Sequence, residues 1–430
     1  MLHEVSEPQL ELFEAAKPPA VDLTSTFADN LSIPVHSWFR YTAGFSAPWV
    51  RELIATRGAQ NVLDPFAGSG TVMLESEFAG VNSIGIEAHP YVFRIAKSKL
   101  NWRVDPSSFL DSASTLLENA MSWRIVEREY PDLIRKCYPT NTILKLEALK
   151  KAWQDSNTQV EIKELTWLVI TSILRATSPV GTAQWQYILP NKLKGNVLDP
   201  FVAFKAKMGS MAKDMRIMQR RHQDTPTAQV HMEDARVMES VPDGWADLVI
   251  TSPPYANNYD YADATRLEMT FWGDVNDWGD LQSKVRKYLI RSCTQHVADL
   301  KDEADEMLNS DLLVPIRDEM SQVFKALAAI RFTRGGKKNY HLMVLAYFRD
   351  LALVIRQVRR TSRNGSSVCF VIGDSAPYGI YVPVDKWLGE LAMASGFKAF
   401  EFEKLRDRNT KWKNRKHRVP LQEGRLWING

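Results

Sequence analysis

Two short loops contain residue types that could bind a ligand and act on it. The first is Asp64 to Thr71, DPFAGSGT, in which two glycines follow an apolar run and precede a helical stretch. Because glycine has no Cβ, backbone N–H groups in such a turn can face a carboxylate or phosphate at the helix N-terminus. No lysine follows the glycines, which argues against a phosphate-binding P-loop. A simple tight turn remains the alternative for this motif alone.

An acidic residue farther along the chain narrows the choice of ligand. Glu87 lies near the end of the next predicted strand, SIGIEA (83–88). A carboxylate about 20 residues beyond such a glycine turn commonly accepts hydrogen bonds from ribose hydroxyls. The two features together favour a nucleoside-bearing cofactor.

The second loop is Thr251 to Tyr255, TSPPY, which follows the apolar run ADLVI. Proline cannot continue the hydrogen-bond ladder of a strand, so this strand ends rigidly between polar and aromatic groups. A mere strand end, with Tyr255 in the core, is the alternative. Loops that follow parallel strands lie at one edge of a sheet, so the two loops are expected to meet at one cleft.

Four stretches together, DPFAGSGT, GIEA, EDAR and DLVITSPPY, resemble motifs I to IV of the S-adenosylmethionine-dependent amino-methyltransferases of DNA. The resemblance covers roughly residues 30–100 and 228–430. It implies a seven-stranded methyltransferase fold with S-adenosyl-L-methionine as cofactor. Residues 38–53 are similar to the family's motif X, which contacts the methionine end of the cofactor, although a helix lead-in also explains them. The cofactor-binding residues that it implies are Asp64, Phe66, Gly68, Ser69, Gly70, Thr71, Glu87 for the ribose, Asp234 for the adenine amino group, and Phe45 in motif X.

The resemblance also implies a chemistry for TSPPY. An exocyclic base amine is a poor nucleophile because its lone pair is delocalised into the ring. Ser252 and the Pro253 carbonyl would accept its two N–H bonds and turn the lone pair towards the methyl group, while Pro254 helps to hold these acceptors still. Tyr255 would stack on a base that has swung out of the duplex.

The identity of the target base is the next inference. Within the family, serine at the first position of the tetrapeptide occurs mostly with cytosine N4 as acceptor, and Asp or Asn mostly with adenine N6. N4-methylcytosine is therefore favoured and N6-methyladenine is the alternative. Cytosine C5 chemistry is disfavoured because none of Cys137, Cys293 and Cys369 follows a proline. An RNA base methyltransferase and a catalytically silent nucleic-acid-binding regulator are further alternatives.

The elements that must position both loops alternate between strands and helices, which is typical of an open α/β sheet. The predicted fold is a seven-stranded Rossmann-like methyltransferase sheet with large helical insertions. We expect methyltransferase segments at 1–102, 228–262 and 363–430, and helical insertions at 103–227 and 263–362 that together form a target-recognition lobe. The second copy of NVLDPF, at 196–201, is followed by no glycine, so we interpret it as coincidence within the first insertion. The predicted strands are 61–66, 83–88, 228–234, 246–254, 366–374, 398–405 and 424–430.

Basic residues cluster at 404–418, where eight Lys or Arg face one Asp and Trp412 is interleaved. Such a stretch can contact DNA phosphates, although a solvated hairpin is the alternative. A weaker basic candidate is the loop 331–341, and Tyr259, Tyr261 and Arg266 could form a pocket wall or a helix core. The predicted DNA-binding residues are Lys411, Lys413, Arg415, Lys416 and Arg418.

Composition sets the remaining expectations. The 430 residues are 45% hydrophobic and 24% charged, with a net charge of only +3, which describes an ordinary globular chain. The cysteines lack CxxC spacing, so neither a disulfide framework nor a metal site is expected. The sequence shows no secretory leader or membrane span, and a cytoplasmic location is predicted. The expected partners are double-stranded DNA and a cognate restriction endonuclease.

Overall fold

The computed structural model describes residues 27–41, 44, 46–123, 126, 129–182, 188–256, 260–297, 300–335, 338–408 and 419–430. Within these ranges the chain forms nine strands and fifteen α-helices. The strands are β1 Asn61–Asp64, β2 Asn82–Ile86, β3 Val180–Thr182, β4 Ile188–Leu193, β5 Gln229–His231, β6 Ala246–Thr251, β7 Ser362–Gly373, β8 Ala399–Arg408 and β9 Leu421–Asn429. The helices are α1 Ala47–Arg57, α2 Thr71–Ala79, α3 Pro90–Leu100, α4 Pro106–Ser122, α5 Asp132–Cys137, α6 Thr140–Asp155, α7 Val160–Thr177, α8 Pro200–Arg221, α9 Tyr261–Ala264, α10 Arg266–Trp272, α11 Trp278–Lys284, α12 Ala304–Leu308, α13 Arg317–Ile330, α14 Tyr340–Thr361 and α15 Val384–Ala394.

Seven of the strands form one mixed sheet in the order β5-β2-β1-β6-β7-β9-β8. The first five are parallel, and β9 is antiparallel to both β7 and β8. The predicted α/β fold with a seven-stranded sheet is confirmed, and each predicted strand occurs with shifted ends. Strands β3 and β4 form a separate two-stranded sheet inside the first predicted insertion.

The strand order reverses between β1 and β6, and this reversal positions the two loops. From β1 the chain runs outward to β2 and β5, and β6 then starts on the other side of β1. In open α/β sheets, a crevice forms beyond the carboxyl ends of the strands at such a reversal. The loops DPFAGSGT and TSPPY leave these two adjacent carboxyl ends, so the sheet brings them side by side.

The central strands of the sheet are buried on both faces, and their consecutive residues point into two different cores. In β1, for example, Val62 packs into one cluster and Leu63 into the other. The first cluster contains side chains from α1 to α8 and the short helices α9 to α11. The second contains side chains from α12 to α15. The first predicted insertion therefore covers one face of the sheet, and the longer helices of the second insertion cover the other.

Helix α2 follows the glycine loop, and buried carboxylates fix its position. Glu75 accepts hydrogen bonds from Arg51 Nε at 2.7 Å and pairs with His36 Nε2 at 2.8 Å. Glu77 accepts from Trp102 Nε1 at 2.6 Å and from the Ala228 backbone N–H at 2.8 Å. A buried charge is tolerated only when it is paired and hydrogen-bonded, and both carboxylates meet that condition. The N-terminus of α2 is thereby held against the first loop.

The two copies of NVLDPF have different structures. The first forms β1, and its aspartate, Asp64, is 1% exposed at the strand end. In the second copy, Asp199 is the N-cap of α8 and accepts hydrogen bonds from the Phe201 and Val202 N–H groups. The same six residues are therefore a strand in one place and a helix start in the other.

None of the helices in the described ranges combines the length and the apolar character that crossing a bilayer requires.

Candidate active site

The two loops meet at one cleft, whose void volume, open mouth included, is about 640 Å³. Gly68 and Glu87, which belong to or contact the first loop, and Ser252 and Pro254 of the second loop all line it. A smaller side pocket of about 270 Å³ adjoins the first loop and shares Gly68 and Ser252 with the cleft. The structure thus brings the glycine loop and the proline loop together, as the strand order requires.

Gly68 adopts a conformation that few other residues tolerate. Its φ is +54°, and a Cβ there would lie 3.4 Å from Cε1 of Tyr41, which also lines the cleft. Its backbone N–H donates a hydrogen bond to Glu87 Oε2 at 2.8 Å. The glycine therefore permits this left-handed turn beside the cleft, and its N–H links the ends of β1 and β2.

Gly70 serves a different purpose from Gly68. Its φ is +85°, and a Cβ there would lie 3.3 Å from Cβ of Ala96 on α3. It lines neither the cleft nor the side pocket formed by the described residues. Gly70 permits the tight start of α2 and its close packing on α3, which positions the loop without facing the ligand space.

Glu87 is half-buried, and both of its carboxylate oxygens are used. Besides the bond from Gly68, Oε1 accepts a hydrogen bond from the His89 N–H at 2.8 Å. Burial raises the pKa of Glu87 to about 7, although these backbone donors oppose the rise. A carboxylate has about four acceptor positions, so Glu87 can still accept hydrogen bonds from ligand hydroxyls in the cleft.

Asp64 lies at the end of β1, where it joins the two loops. Its Oδ1 accepts hydrogen bonds from the Phe66 N–H at 3.0 Å and from Thr251 Oγ1 at 2.7 Å. Burial raises its pKa to about 7, mainly because the ionised form is poorly solvated. Asp64 lines the side pocket, so it places a costly buried carboxyl beside the ligand space.

Ser69 and Thr71 are buried and line the side pocket at the N-terminus of α2. The Ser69 hydroxyl makes no hydrogen bond to the described protein. A buried hydroxyl without a partner is costly, and a helix N-terminus favours an anion. The donors here suit the carboxylate of an amino-acid group, while Glu87 suits hydroxyl groups, so the residues fit S-adenosyl-L-methionine.

Ser252 stands at the carboxyl end of β6 and lines both the cleft and the side pocket. Its hydroxyl donates a hydrogen bond to the Val371 carbonyl on neighbouring β7 at 3.2 Å. A hydroxyl carries one proton and two lone pairs, so this bond leaves acceptor capacity on Oγ. Pro253 is buried, and Pro254 lines the cleft.

Tyr255 is half-buried, and Arg408 from β8 lies on its ring. The guanidinium carbon of Arg408 is 5.2 Å from the ring centroid. Burial, and then the charge of Glu423, raise the pKa of the Tyr255 hydroxyl above its ordinary value, whereas a hydrogen bond with Ser252 opposes the rise. The phenol is therefore neutral, and its ring already has a stacking partner.

Asp234, the residue predicted for the adenine amino group, also lines the cleft. Its carboxylate accepts hydrogen bonds from the backbone N–H and the guanidinium of Arg236. Arg236 also pairs with the buried Asp350 at 3.1 Å. The orientation of the Asp234 carboxylate therefore depends on this arginine, and its role towards the adenine amino group stays a prediction.

The described residues do not include every predicted site residue. Phe45 and Tyr259 lie outside the described residues, as do all five predicted DNA-binding residues: Lys411, Lys413, Arg415, Lys416 and Arg418.

Sequence reasoning missed several residues of the site. Tyr41 lines both the cleft and the side pocket, and it lies inside the stretch that resembles motif X. His89 is 2% exposed, and burial lowers its pKa to about 4, so it is neutral. Leu289 and Ile290 line the cleft from a segment far along the chain. Tyr41 could have been found within its motif, whereas no local signal marks Leu289 or Ile290.

Comparisons with known proteins agree with this geometry. A family model described as a DNA methylase matches residues 35–98. The chain is 26% identical to the Type II methyltransferase M.BsoBI of Geobacillus stearothermophilus, over 94% of this chain and 89% of that protein. It is 24% identical to the Type II methyltransferase M.AvaI of Nostoc sp., over 86% of this chain and 81% of that protein.

Together with the sheet and the cleft, these similarities support an amino-methyltransferase, with methyl transfer as its activity. They also confirm the predicted cofactor, S-adenosyl-L-methionine.

Proposed function

We propose that this chain methylates the exocyclic N4 of cytosine in double-stranded DNA, at a specific site, after flipping the base out of the duplex. The observation that carries the proposal is the placement of Ser252, whose hydroxyl donates to Val371 and which lines the same cleft as Gly68 and Glu87. Amine methylation requires a hydrogen-bond acceptor for the amine next to a cofactor site, and this cleft offers residues for both.

The chain's contribution to the reaction is to orient the amine. Ser252 Oγ, which lines the cleft, accepts one N–H of the base amine, and the Pro253 carbonyl accepts the other. These two bonds disfavour delocalisation of the nitrogen lone pair into the ring and direct it into the cleft. The prolines restrict backbone motion, so the acceptors need little reorganisation when the base arrives.

The cofactor site is held by the first loop. Glu87 would accept hydrogen bonds from the ribose hydroxyls, Ser69 and the N-terminus of α2 would hold the carboxylate, and Asp64 would lie near the methionine end. When bound, S-adenosyl-L-methionine supplies an electrophilic methyl group on a sulfonium ion. Gly68 lets the backbone approach it closely.

Tyr255 supports the base-flipping part of the proposal. A base amine cannot reach a buried methyl donor while it is paired in the duplex, so the base must leave the stack. Tyr255 directly follows Pro254, which lines the cleft, and the arriving base would stack on its ring in place of Arg408 or on the face opposite to it. A cation on an aromatic ring contributes about 0.5–2 kcal/mol, which base stacking of about 1–3 kcal/mol can replace.

Support for DNA, for cytosine N4 and for a restriction-modification role comes from similarity. The match to a DNA methylase family and to Type II methyltransferases supports a duplex DNA substrate, and a cognate restriction endonuclease is the corresponding partner. Ser252 supports cytosine N4 over adenine N6 as the target, because serine at the first position of this tetrapeptide occurs mostly with cytosine N4 in the family that the chain resembles. We retain the cytoplasm as the predicted location, the insertions at 103–227 and 263–362 as the target-recognition elements, and the basic stretch 404–418 as a phosphate contact.

The test is to incubate the full chain with labelled S-adenosyl-L-methionine and either defined duplex DNA or RNA, and then to identify the modified nucleoside by mass spectrometry. N4-methylcytosine is expected, and Ser252→Ala should greatly reduce it. N6-methyladenine would instead support the alternative target base. Label in RNA alone would overturn the DNA proposal, and cofactor binding without transfer to any nucleic acid would support a silent regulator.

A further inference from the structure

Three buried side chains that the proposed reaction does not use converge beside the cleft. They are Asp260, Cys293 and His296, and a carboxylate oxygen, the Sγ atom and a ring nitrogen all lie within 4.8 Å of one another. Among the described residues this is the one group of three such side chains close enough to share a metal ion. We propose that Asp260, Cys293 and His296 form a binding site for a divalent transition metal, with Zn²⁺ as the preferred ion.

The histidine supplies the first argument. His296 Nδ1 lies 3.2 Å from the Ile290 carbonyl, so Nδ1 carries the proton and donates it there. The lone pair of a neutral imidazole is then on Nε2, which is buried and has no hydrogen-bond partner among the described residues. Metal-ligating histidines commonly donate their second ring N–H to a backbone carbonyl, which fixes the ring and leaves the other nitrogen for the metal.

The spacing of the atoms supplies the second argument. His296 Nε2 lies 3.7 Å from Asp260 Oδ1, which is too long for a hydrogen bond. Zinc bonds of about 2.0–2.2 Å to nitrogen and oxygen in tetrahedral geometry separate two ligand atoms by about 3.4 Å. The observed separation is therefore close to that of two ligands on one ion.

The surroundings of the carboxylate agree with this assignment. Arg286 is buried and donates hydrogen bonds to Asp260 Oδ2, with Nε at 2.9 Å. Oδ1 lies 3.7 Å from His296 Nε2 and accepts the Ala262 N–H at 3.1 Å and the Asp263 N–H at 3.4 Å, so backbone and arginine donors together fix the carboxylate beside the histidine. Arginine thereby orients the carboxylate, as hydrogen-bonded partners of ligating carboxylates do.

The ligand set favours a borderline metal. One thiolate and one carboxylate supply two negative charges to a divalent cation, and one imidazole completes three protein ligands. Thiolate and imidazole together select Zn²⁺ over Mg²⁺ or Ca²⁺, which prefer oxygen ligands. Three protein ligands leave a fourth tetrahedral position for water.

A metal bound at the proposed site would connect two segments that form the wall of the cleft. Asp260 immediately precedes Tyr261, which lines the cleft, and His296 is hydrogen-bonded to Ile290, which also lines it. A metal bound by Asp260, Cys293 and His296 would cross-link the segment after TSPPY to the segment around residue 290. The spacing of the cysteines in the sequence predicts no metal site. The proposed site differs from that expectation because the fold brings Cys293 and His296 to Asp260, which lies 33 and 36 positions before them.

Metal binding is tested on the full chain after its affinity tag has been removed and its metal stripped with a chelator. Added Zn²⁺ is expected to bind with a stoichiometry of one per chain in equilibrium dialysis and to raise the thermal unfolding temperature. Added Co²⁺ is expected to produce a thiolate-to-cobalt charge-transfer absorption. If the stripped chain binds no Zn²⁺ and gives no such absorption with Co²⁺, the proposal is overturned.

Variants test which residues bind the ion. Cys293→Ser and His296→Gln should each lower Zn²⁺ affinity more than about 100-fold, beyond the 10–100-fold typical of losing a supporting hydrogen bond. Cys293→Ser should also abolish the charge-transfer band with Co²⁺. Cys137→Ser and Cys369→Ser are the matched controls, since both remove a buried free thiol elsewhere, and both should bind Zn²⁺ like the parent. Loss of the cobalt band in either control, with its retention in Cys293→Ser, would also overturn the assignment.

Discussion

Replacing Asp64 by asparagine should stabilise the protein and weaken cofactor binding at the same time. Asparagine has nearly the same shape, and its Oδ1 can keep both hydrogen bonds, from the Phe66 N–H and from Thr251 Oγ1. Its amide nitrogen takes the place of the other carboxylate oxygen, Oδ2 of Asp64, and Asp64 lines the side pocket. The substitution therefore removes a buried negative charge with little other change.

The magnitude follows from the pKa of Asp64. Burial raises this pKa from 3.8 to about 7. Because the folded pKa is the higher one, the contribution of Asp64 to stability is fully present below pH 3.8 and is lost as the pH rises through 7. A pKa difference of about 3, at about 1.4 kcal/mol for each pH unit, gives a ceiling of about 4 kcal/mol above pH 7, and structural relaxation reduces it to about 1–3 kcal/mol. The neutral amide of the Asp64→Asn variant avoids this loss.

The assay compares thermal unfolding of the parent and Asp64→Asn at about pH 4.5 and about pH 8, and measures S-adenosyl-L-methionine binding by calorimetry. The variant should unfold at a higher temperature by a few degrees at about pH 8, with a smaller difference at about pH 4.5. Its cofactor affinity should fall by about 10–100-fold, because a charge-assisted contact of about 1.5–3 kcal/mol is lost.

The second copy of the hexapeptide provides the matched control. Asp199 is half-exposed and pairs with Lys145. Although burial opposes the change, hydrogen bonds with Lys145 and the α8 backbone lower the pKa of Asp199. Asp199→Asn should therefore lower the unfolding temperature slightly at about pH 8 and leave cofactor binding unchanged. A destabilised Asp64→Asn at that pH, or a stability difference that does not vary with pH, would refute the reasoning.

Other substitutions test the remaining parts of the site. Ser252→Ala should lower kcat about 10–100-fold while cofactor affinity changes less than about twofold, since only the amine contact is lost; an equal loss of cofactor affinity in calorimetry would contradict that role. Tyr255→Ala should raise KM for DNA about 10–100-fold, whereas Tyr255→Phe keeps the ring and should stay near the parent, so equal defects in steady-state kinetics would exclude stacking. Glu87→Gln should weaken cofactor binding about 10–100-fold. The substitution removes the negative charge, and the glutamine amide nitrogen cannot accept the hydrogen bond from the Gly68 or the His89 N–H that one carboxylate oxygen accepted. Since burial raises the pKa of Glu87 to about 7, the cofactor affinity of the parent should decline as the pH falls below 7. An equally steep decline in Glu87→Gln would show that a group other than Glu87 causes it.

Much of the fold followed from local signals in the sequence. Apolar runs bounded by Asn, Gly and Pro predicted the seven strands of the sheet, and the two loops were recognisable because glycine and proline restrict the backbone in specific ways. The ends of strands were less well determined. For example, β2 ends at Ile86, before Glu87, because hydrogen bonding to β5 rather than residue type sets the last paired residue.

The sequence by itself determined the two loops, their residue types and the alternation of strands and helices, because each depends on neighbours within one turn or one strand. The tertiary structure alone decided that Ser252 donates to Val371, that NVLDPF forms a strand once and a helix start once, and that Asp260, Cys293 and His296 meet. These outcomes depend on strand order and on which helices cover each sheet face. Such contacts join residues far apart in the chain, and local propensity does not determine them.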